Sequence, residues 1–259
     1  MLKRASDLVG YLPLVVIHQE CHQIFSHGPR YRRRFLDWGM FHVEHSFLPV
    51  WRRYIRALKQ RNASLQHGAL SQQGLWDKEL QETAEHIHGL RKRYVTHFTK
   101  LFEEYTGRLL QGDAPITLDY EPGWRTEEAL SSILSRTHSR DKVLGYTQQG
   151  PHRADLRVKV SGRPVQEVIS RGQQKLLIYA MYLTQAGIYQ QQLARPCTIL
   201  ADDICAELDN TRLTELMNLI EDLGVQAFIT TVDRYTEIGR GGVDQKMFHV
   251  EHGQVKEVI

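Results

Sequence analysis

The sequence has no long apolar run. No stretch approaches the roughly 20 residues needed to cross a bilayer, so a membrane partner is not expected. Cysteine is scarce: Cys21, Cys197 and Cys205 are the only three. None sits in a C-x-x-C pair, and an odd number supplies no disulfide framework. That scarcity fits a reducing, cytoplasmic setting. A secretory signal is not evident either, because Gly10 and Pro13 break the first apolar patch and no small-residue cleavage site follows it. Strong charge of one sign is also lacking. The net charge is +3, which does not by itself imply a nucleic-acid partner.

At 259 residues and 41% hydrophobic content the chain can bury one large core or two modest ones, so disorder is not the default. Charge is unevenly spread. Between His27 and Arg61 stand nine Lys or Arg against two acids, and Arg30, Arg32, Arg33 and Arg34 fall together. A basic cluster of this kind either tracks nucleic-acid phosphates or serves as a solvated or internally paired face.

Periodicity organises the rest. Residues 12–18 read as a strand and Tyr31–Trp38 as a helix. From Ser46, apolar residues recur at helical steps: Phe47, Val50, Trp51, Tyr54, Leu58 and Leu65. A polar break at His67–Gly74 precedes a second stripe, Trp76, Leu80, Ala84, Ile87, Tyr94, Phe98, Leu101, Tyr105 and Leu109. Two long helices with a short break predict an antiparallel hairpin. Beyond Pro115 the pattern predicts strands at Ile116–Tyr120, Leu156–Val160, Thr198–Ala201 and Val225–Thr231. It places helices at Thr126–Thr137, Arg171–Tyr189 and Thr211–Leu223, and a terminal hairpin around His252-Gly253. Alternating helices and strands indicate an α/β fold. The predicted division is 1–45, 46–112 as a helical arm, and 113–259.

Chemistry concentrates in the last part. Thr198–Ala201 runs into adjacent acids, Asp202 and Asp203, where the carboxyl ends of parallel strands bind ligands. The first acid can hold Mg²⁺ and the second can orient or deprotonate an attacking water. Ordinary structure also accounts for the stretch, as a core strand entering an acidic turn. Ser170-Arg171-Gly172-Gln173 opens a helix, where first-turn N–H groups favour an anion. It equally suits a plain N-cap. The hexapeptide Met40–His45 recurs as Met247–His252. Its histidines do not have the H-E-x-x-H spacing of a zinc site, and the repetition has no evident physical reason.

The succession S-R-G-Q-Q-K, an apolar strand ending D-D, A-E-L-D, and F-I-T-T-V resembles the second lobe of ABC-type ATPases. With L-K-R-A-S-D-L-V-G-Y-L-P, R-R-R-F-L-D-W, L-K-Q-R-N and G-P-H-R, it more closely resembles the RecF family of bacterial recombination-repair ATPases, relatives of SMC proteins. The resemblance implies an ABC/SMC-type ATPase head with an inserted antiparallel helical-hairpin arm. It implies ATP and Mg²⁺ as cofactors. Ser170, Gly172 and Gln173 would contact the γ-phosphate of ATP held by an opposite subunit. Asp202 would be the magnesium ligand, Asp203 the catalytic acid, Ala206–Asp209 the D-loop with Asp209 near nucleotide, and Thr230-Thr231 the switch. Implied partners are single-stranded or gapped DNA, reached through Arg30, Arg32, Arg33 and Arg34, recombination mediator proteins, and an ATP-dependent homodimer. The implied role is recombinase loading and the SOS response.

One departure is clear. The family's phosphate-binding loop, G-x-x-x-x-G-K-[ST], occurs nowhere in the sequence. The expectation is therefore a partial head, with its first lobe truncated, that does not hydrolyse ATP alone. The rival expectation is a non-catalytic fragment that binds DNA or a repair partner.

Overall fold

The computed structural model describes residues 12–67, 73–110, 115–204, 208–231 and 245–257. Its centre is α5, Arg171–Leu193. Unlike a surface helix, α5 is apolar nearly all round, and Leu176 to Ile188 are almost continuously buried.

A parallel three-stranded sheet lies on one side of α5. Its strands are β1 (Leu14–Ile17), β5 (Thr198–Ala201) and β6 (Gln226–Ile229), with β5 in the middle. Ile17 pairs with Ala201, and Ala201 with Ile229, so the three carboxyl ends finish level. Val15, Ile17, Ile199 and Ala201 face the core. On the opposite face Val16, Leu200 and Phe228 align in register, and Val16 and Phe228 are exposed.

α5 also packs against α1 (Pro29–Val43) and α3 (Gln73–Leu110), and α2 (Phe47–His67) packs on α3. α2 and α3 form the expected hairpin, and the buried residues of α3 run from Leu80 to Leu109. Those residues share one apolar cluster with α5 and both larger sheets. The hairpin is thus rooted in the head along much of its length. A second, antiparallel sheet joins β2 (Ile116–Glu121), β3 (Asp155–Val160) and the short β4 (Arg163–Pro164). Two further helices are α4 (Leu130–Leu144) and α6 (Asn210–Asp222), and the chain's described part ends in a β7–β8 hairpin, Phe248–Glu251 with Gln254–Glu257. Among the described residues no helix is long and apolar enough to cross a membrane.

Several boundaries move. The helix expected from Thr126 begins at Leu130, with no acid in its first turn. Glu128 instead sits in the preceding turn and pairs with Arg136 at 2.6 Å. α1 runs longer than expected at both ends; its earlier start places Pro29 at the first position, where a missing N–H costs nothing. α6 stops before Gly224, whose φ of 59° ends the helix as expected.

The charged residues of the hairpin are the larger surprise. Arg61 and Arg91 are both 0% exposed. Arg61 bonds Asp77 at 2.7 Å, Asp141 at 2.8 Å, Thr147 at 2.7 Å and the Leu134 carbonyl at 3.2 Å. Arg91 bonds Asp37 at 2.6 Å and the Pro151 carbonyl at 2.8 Å, and lies over the Trp51 ring. Sequence position carries a trace of this: Arg61 falls on the Tyr54–Leu58–Leu65 stripe, and Arg91 on that of Ile87 and Phe98.

Candidate functional site

The site is built where the level ends of β1, β5 and β6 meet the start of α5. Asp202 follows the last residue of β5, and its N–H donates to the Ile17 carbonyl at 2.8 Å. Asp203 has φ 53°. This left-handed conformation is one that aspartate tolerates better than most residues, and it turns the chain sharply. Two contacts hold the turn. The Asp203 N–H donates to the Thr230 hydroxyl at 3.0 Å, and Lys175 donates to the Asp203 carbonyl at 3.1 Å. The Thr230 hydroxyl in turn donates to Asp202 Oδ1 at 2.6 Å. Thr230 thereby uses its one donor and one of its two acceptor lone pairs to tie both acids to the end of β6.

Lys175 brings in α5, since it lies about a turn past Ser170. Ser170 is the N-cap, in a reciprocal capping box with Gln173. The Ser170 Oγ accepts from the Gln173 N–H at 3.3 Å, and Gln173 Oε1 accepts from the Ser170 N–H at 2.9 Å. The N-cap role is therefore real. It leaves other first-turn N–H groups, and Gly172 in that turn keeps the approach uncrowded. Asp209 caps α6 and accepts from the Arg212 N–H at 2.9 Å. Ala206 and Glu207 lie outside the described residues. Thr231 is exposed beside Thr230.

The acids suit a magnesium ion coordinated partly by nucleotide. Among the described residues no three His, Cys, Asp or Glu side chains are grouped to hold a metal by themselves. Mg²⁺, however, commonly takes one or two carboxylates and completes its shell with phosphate oxygens and water. An exposed Asp202 with one oxygen fixed by Thr230 fits that pattern.

The basic cluster divides. Arg32 clamps Asp155 with two bonds, of 2.7 and 3.0 Å, and Arg33 donates to the Ala154 carbonyl at 2.8 Å. Burial pulls the Asp155 carboxyl up, but the hydrogen bonds from Arg32 and Arg157 outweigh it and hold its pKa below the usual range. Burial lowers the pKa of Arg33. Arg32 and Arg33 therefore serve the head's own structure, while Arg30 and Arg34 remain exposed. Of the wider basic stretch, Arg53 is paired with Glu79 and Arg61 is buried.

Sequence reasoning assigned no role to Lys175, although its place one turn into α5 was in view. What was not visible is the reach of its side chain across to the β5 turn.

No protein-family model matches the chain. The chain is 41% identical over 259 residues to the DNA replication and repair protein RecF of Pseudomonas aeruginosa strain LESB58, an alignment spanning 98% of this chain and 70% of that protein. The chain belongs to the RecF family. Among solved structures it is similar to RecF with ATP, described as a recombination mediator protein of the RecFOR pathway. The TM-score is 0.82 at 21% identity, covering 100% of this chain and 70% of that one. It is also similar to the Smc head domain from Pyrococcus furiosus solved with the C-terminal domain of ScpA, with a TM-score of 0.51 at 14% identity over 94% of this chain and 61% of that one. At these identities the structural likenesses establish the fold. The RecF-family chain thus has an ABC/SMC-type head carrying a helical hairpin.

Proposed function

We propose that this RecF-family DNA replication and repair protein contributes the signature-and-acid half of a composite ATP site and works on single-stranded or gapped DNA. The observation that carries the reading is the junction described above. Lys175 ties the Ser170 helix start to the Asp203 turn, and Thr230 ties that turn to Asp202. In this reading Ser170, Gly172 and Gln173 receive the γ-phosphate of ATP bound to an opposite subunit, with Asp209 beside it. Asp202 holds Mg²⁺, which neutralises phosphate charge when bound. Asp203 orients or deprotonates the attacking water. The nucleotide-dependent dimer would assist recombinase loading with recombination mediator partners and feed the SOS response, in the cytoplasm. The row Val16–Leu200–Phe228, exposed at Val16 and Phe228, supports the same reading, because parallel sheets are normally covered on both faces.

The sequence contains no G-x-x-x-x-G-K-[ST] loop, so this chain alone is expected to bind ATP weakly and not to turn it over. Mixing it with a full-length RecF-family protein should produce ATP-dependent association, measured by sedimentation, that is lost in Ser170→Arg and Gly172→Asp. Ordinary ATP hydrolysis by the isolated chain, abolished in Asp202→Asn, would refute the half-site reading. The second reading is a non-catalytic DNA-binding or partner-binding module. The exposure of Arg30 and Arg34 favours it. Salt-dependent DNA binding that is indifferent to nucleotide, and weakened in Arg30→Ala/Arg34→Ala, would select it.

A further inference from the structure

Far from the acids, the outer face of α3 forms an open groove of about 620 Å³ with the end of α5. Lys92, Thr96 and Lys100 follow one another at four-residue steps along it. Arg93 and His97 form the adjacent row, and Gln191 of α5 completes the lining. Residues four apart share a helix face, so the cations stand in line. Lys92 and Lys100 are about 12 Å apart along the axis at ~1.5 Å per residue.

Three observations distinguish the groove from an ordinary solvated face. First, its cations are unmatched. Among the described residues Lys92, Arg93 and Lys100 make no ion pair, and Glu104 is the one acid in the lining. Elsewhere in the same hairpin four arginines are paired: Arg53 with Glu79, Arg61 with Asp77, Arg91 with Asp37 and Arg108 with Glu215. Second, the mounting is rigid. The opposite side of this stretch of α3 carries Tyr94, Phe98 and Phe102 in the core, and His97 is fixed by Gln191 at 3.1 Å. Third, the groove offers little to an apolar anchor. Leu101 is its one aliphatic lining residue and is buried. Helical peptides that dock in grooves need such anchors, and protein hot spots are mostly aromatic or Arg side chains in dry pockets. A polyanionic backbone needs only positioned cations.

We propose that this groove is a docking track for the phosphodiester backbone of DNA. The proposal rests on the DNA reading above and locates a second contact surface for it. A track of about 12 Å spans three to four nucleotides at ~3.4 Å per charge on one strand. It lies at the opposite end of α5 from Ser170, roughly 30 Å away along the helix at ~1.5 Å per residue. One rigid element therefore joins the DNA track to the nucleotide side.

The test titrates the whole chain with fluorescein-labelled poly(dT) across a salt series, following anisotropy. The variants are Lys92→Ala/Arg93→Ala/Lys100→Ala, Glu104→Gln and Arg30→Ala/Arg34→Ala, each checked for intact fold by circular dichroism. The triple variant should bind more weakly and lower the slope of log K against log salt by about 2, from three lost phosphate contacts at ~0.7 each. Glu104→Gln should bind more tightly. Affinity and slope unchanged in the triple variant, with binding lost in Arg30→Ala/Arg34→Ala, would overturn the track and leave the DNA reading standing. No binding of poly(dT) by the unaltered chain at low salt would overturn both. If poly-glutamate binds with the triple variant's sensitivity while poly(dT) does not, the occupant is an acidic protein segment and the DNA track is wrong.

Discussion

The Thr230 hydroxyl lies 2.6 Å from Asp202 Oδ1, joining the ends of two adjacent parallel strands. The same hydroxyl accepts from the Asp203 N–H. Thr230→Val keeps the shape and removes both bonds, leaving that N–H without its side-chain acceptor. The expected loss is about 1 kcal/mol, read from the urea midpoint. Thr230→Ser, which keeps the hydroxyl, should recover most of it. Equal stability of the two variants would show that the hydroxyl does not hold the turn.

Arg61 should be among the most sensitive positions outside the site. Arg61→Met fits the apolar stripe but strips Asp141, itself 0% exposed, of its guanidinium partner. Breaking a buried pair on one side costs about 3–5 kcal/mol. Denaturant unfolding should show it. Arg53→Met, which breaks an exposed pair, should change stability by less than about 1 kcal/mol.

Gly123 cannot be replaced cheaply. Its φ is 95°, and an added Cβ would lie 2.3 Å from the Gly150 carbonyl oxygen, a backbone atom with little freedom to move. Gly123→Ala should cost about 1–3 kcal/mol from backbone strain alone, with further loss from the clash. Thermal melts should show this against Gly28→Ala, where no atom lies within 4 Å of the added Cβ and φ is −65°.

Stability should fall as pH drops from about 6.5 towards 4. The Nε2–H of His152 donates to the Thr147 carbonyl at 3.0 Å, so in the neutral ring Nδ1 accepts from the Tyr54 hydroxyl at 2.6 Å. Burial depresses its pKa from 6.5 to about 4, and burial depresses His42 likewise to about 4. The unfolded chain takes up these protons first, so each depressed histidine disfavours folding across that window. The effect of His152 is at most about 3 kcal/mol, at 1.36 kcal/mol per pKa unit. Urea midpoints between pH 7 and 4 should fall less steeply in His152→Gln. An unchanged pH dependence would remove His152 from the account.

Much of the fold was legible because its signals are local. The stripes through Tyr54 and Phe98 predicted the α2–α3 hairpin, and the apolar run before Asp202 predicted β5. The N-cap at Ser170 was legible too, because a serine at the start of a helical pattern is itself a local signal. The start of α4 was misjudged because Glu127 and Glu128 look like first-turn acids. Glu128 answers instead to Arg136, eight positions later in the chain. The arginine cluster was legible as charge but not as allocation. Arg32 is bound by Asp155, 123 positions away, and no window of sequence contains both.

The repeated hexapeptide marks the limit most clearly. Met40–Val43 closes α1, with Met40 fully buried, whereas Phe248–Glu251 in the second copy is an exposed strand. Identical residues take different structures because intrinsic preferences span about a kcal/mol or less and surrounding packing overrides them. The sequence by itself determined the family, the order of helices and strands, and the residue types at the strand ends. These follow from periodicity, capping and motif order, all carried within short windows. Tertiary structure alone decided that Lys175 and Thr230 clamp the two acids, that Arg61 and Arg91 are buried hubs, and that Lys92, Arg93 and Lys100 share an open groove. Each of those depends on which distant groups the packed core brings within hydrogen-bonding reach.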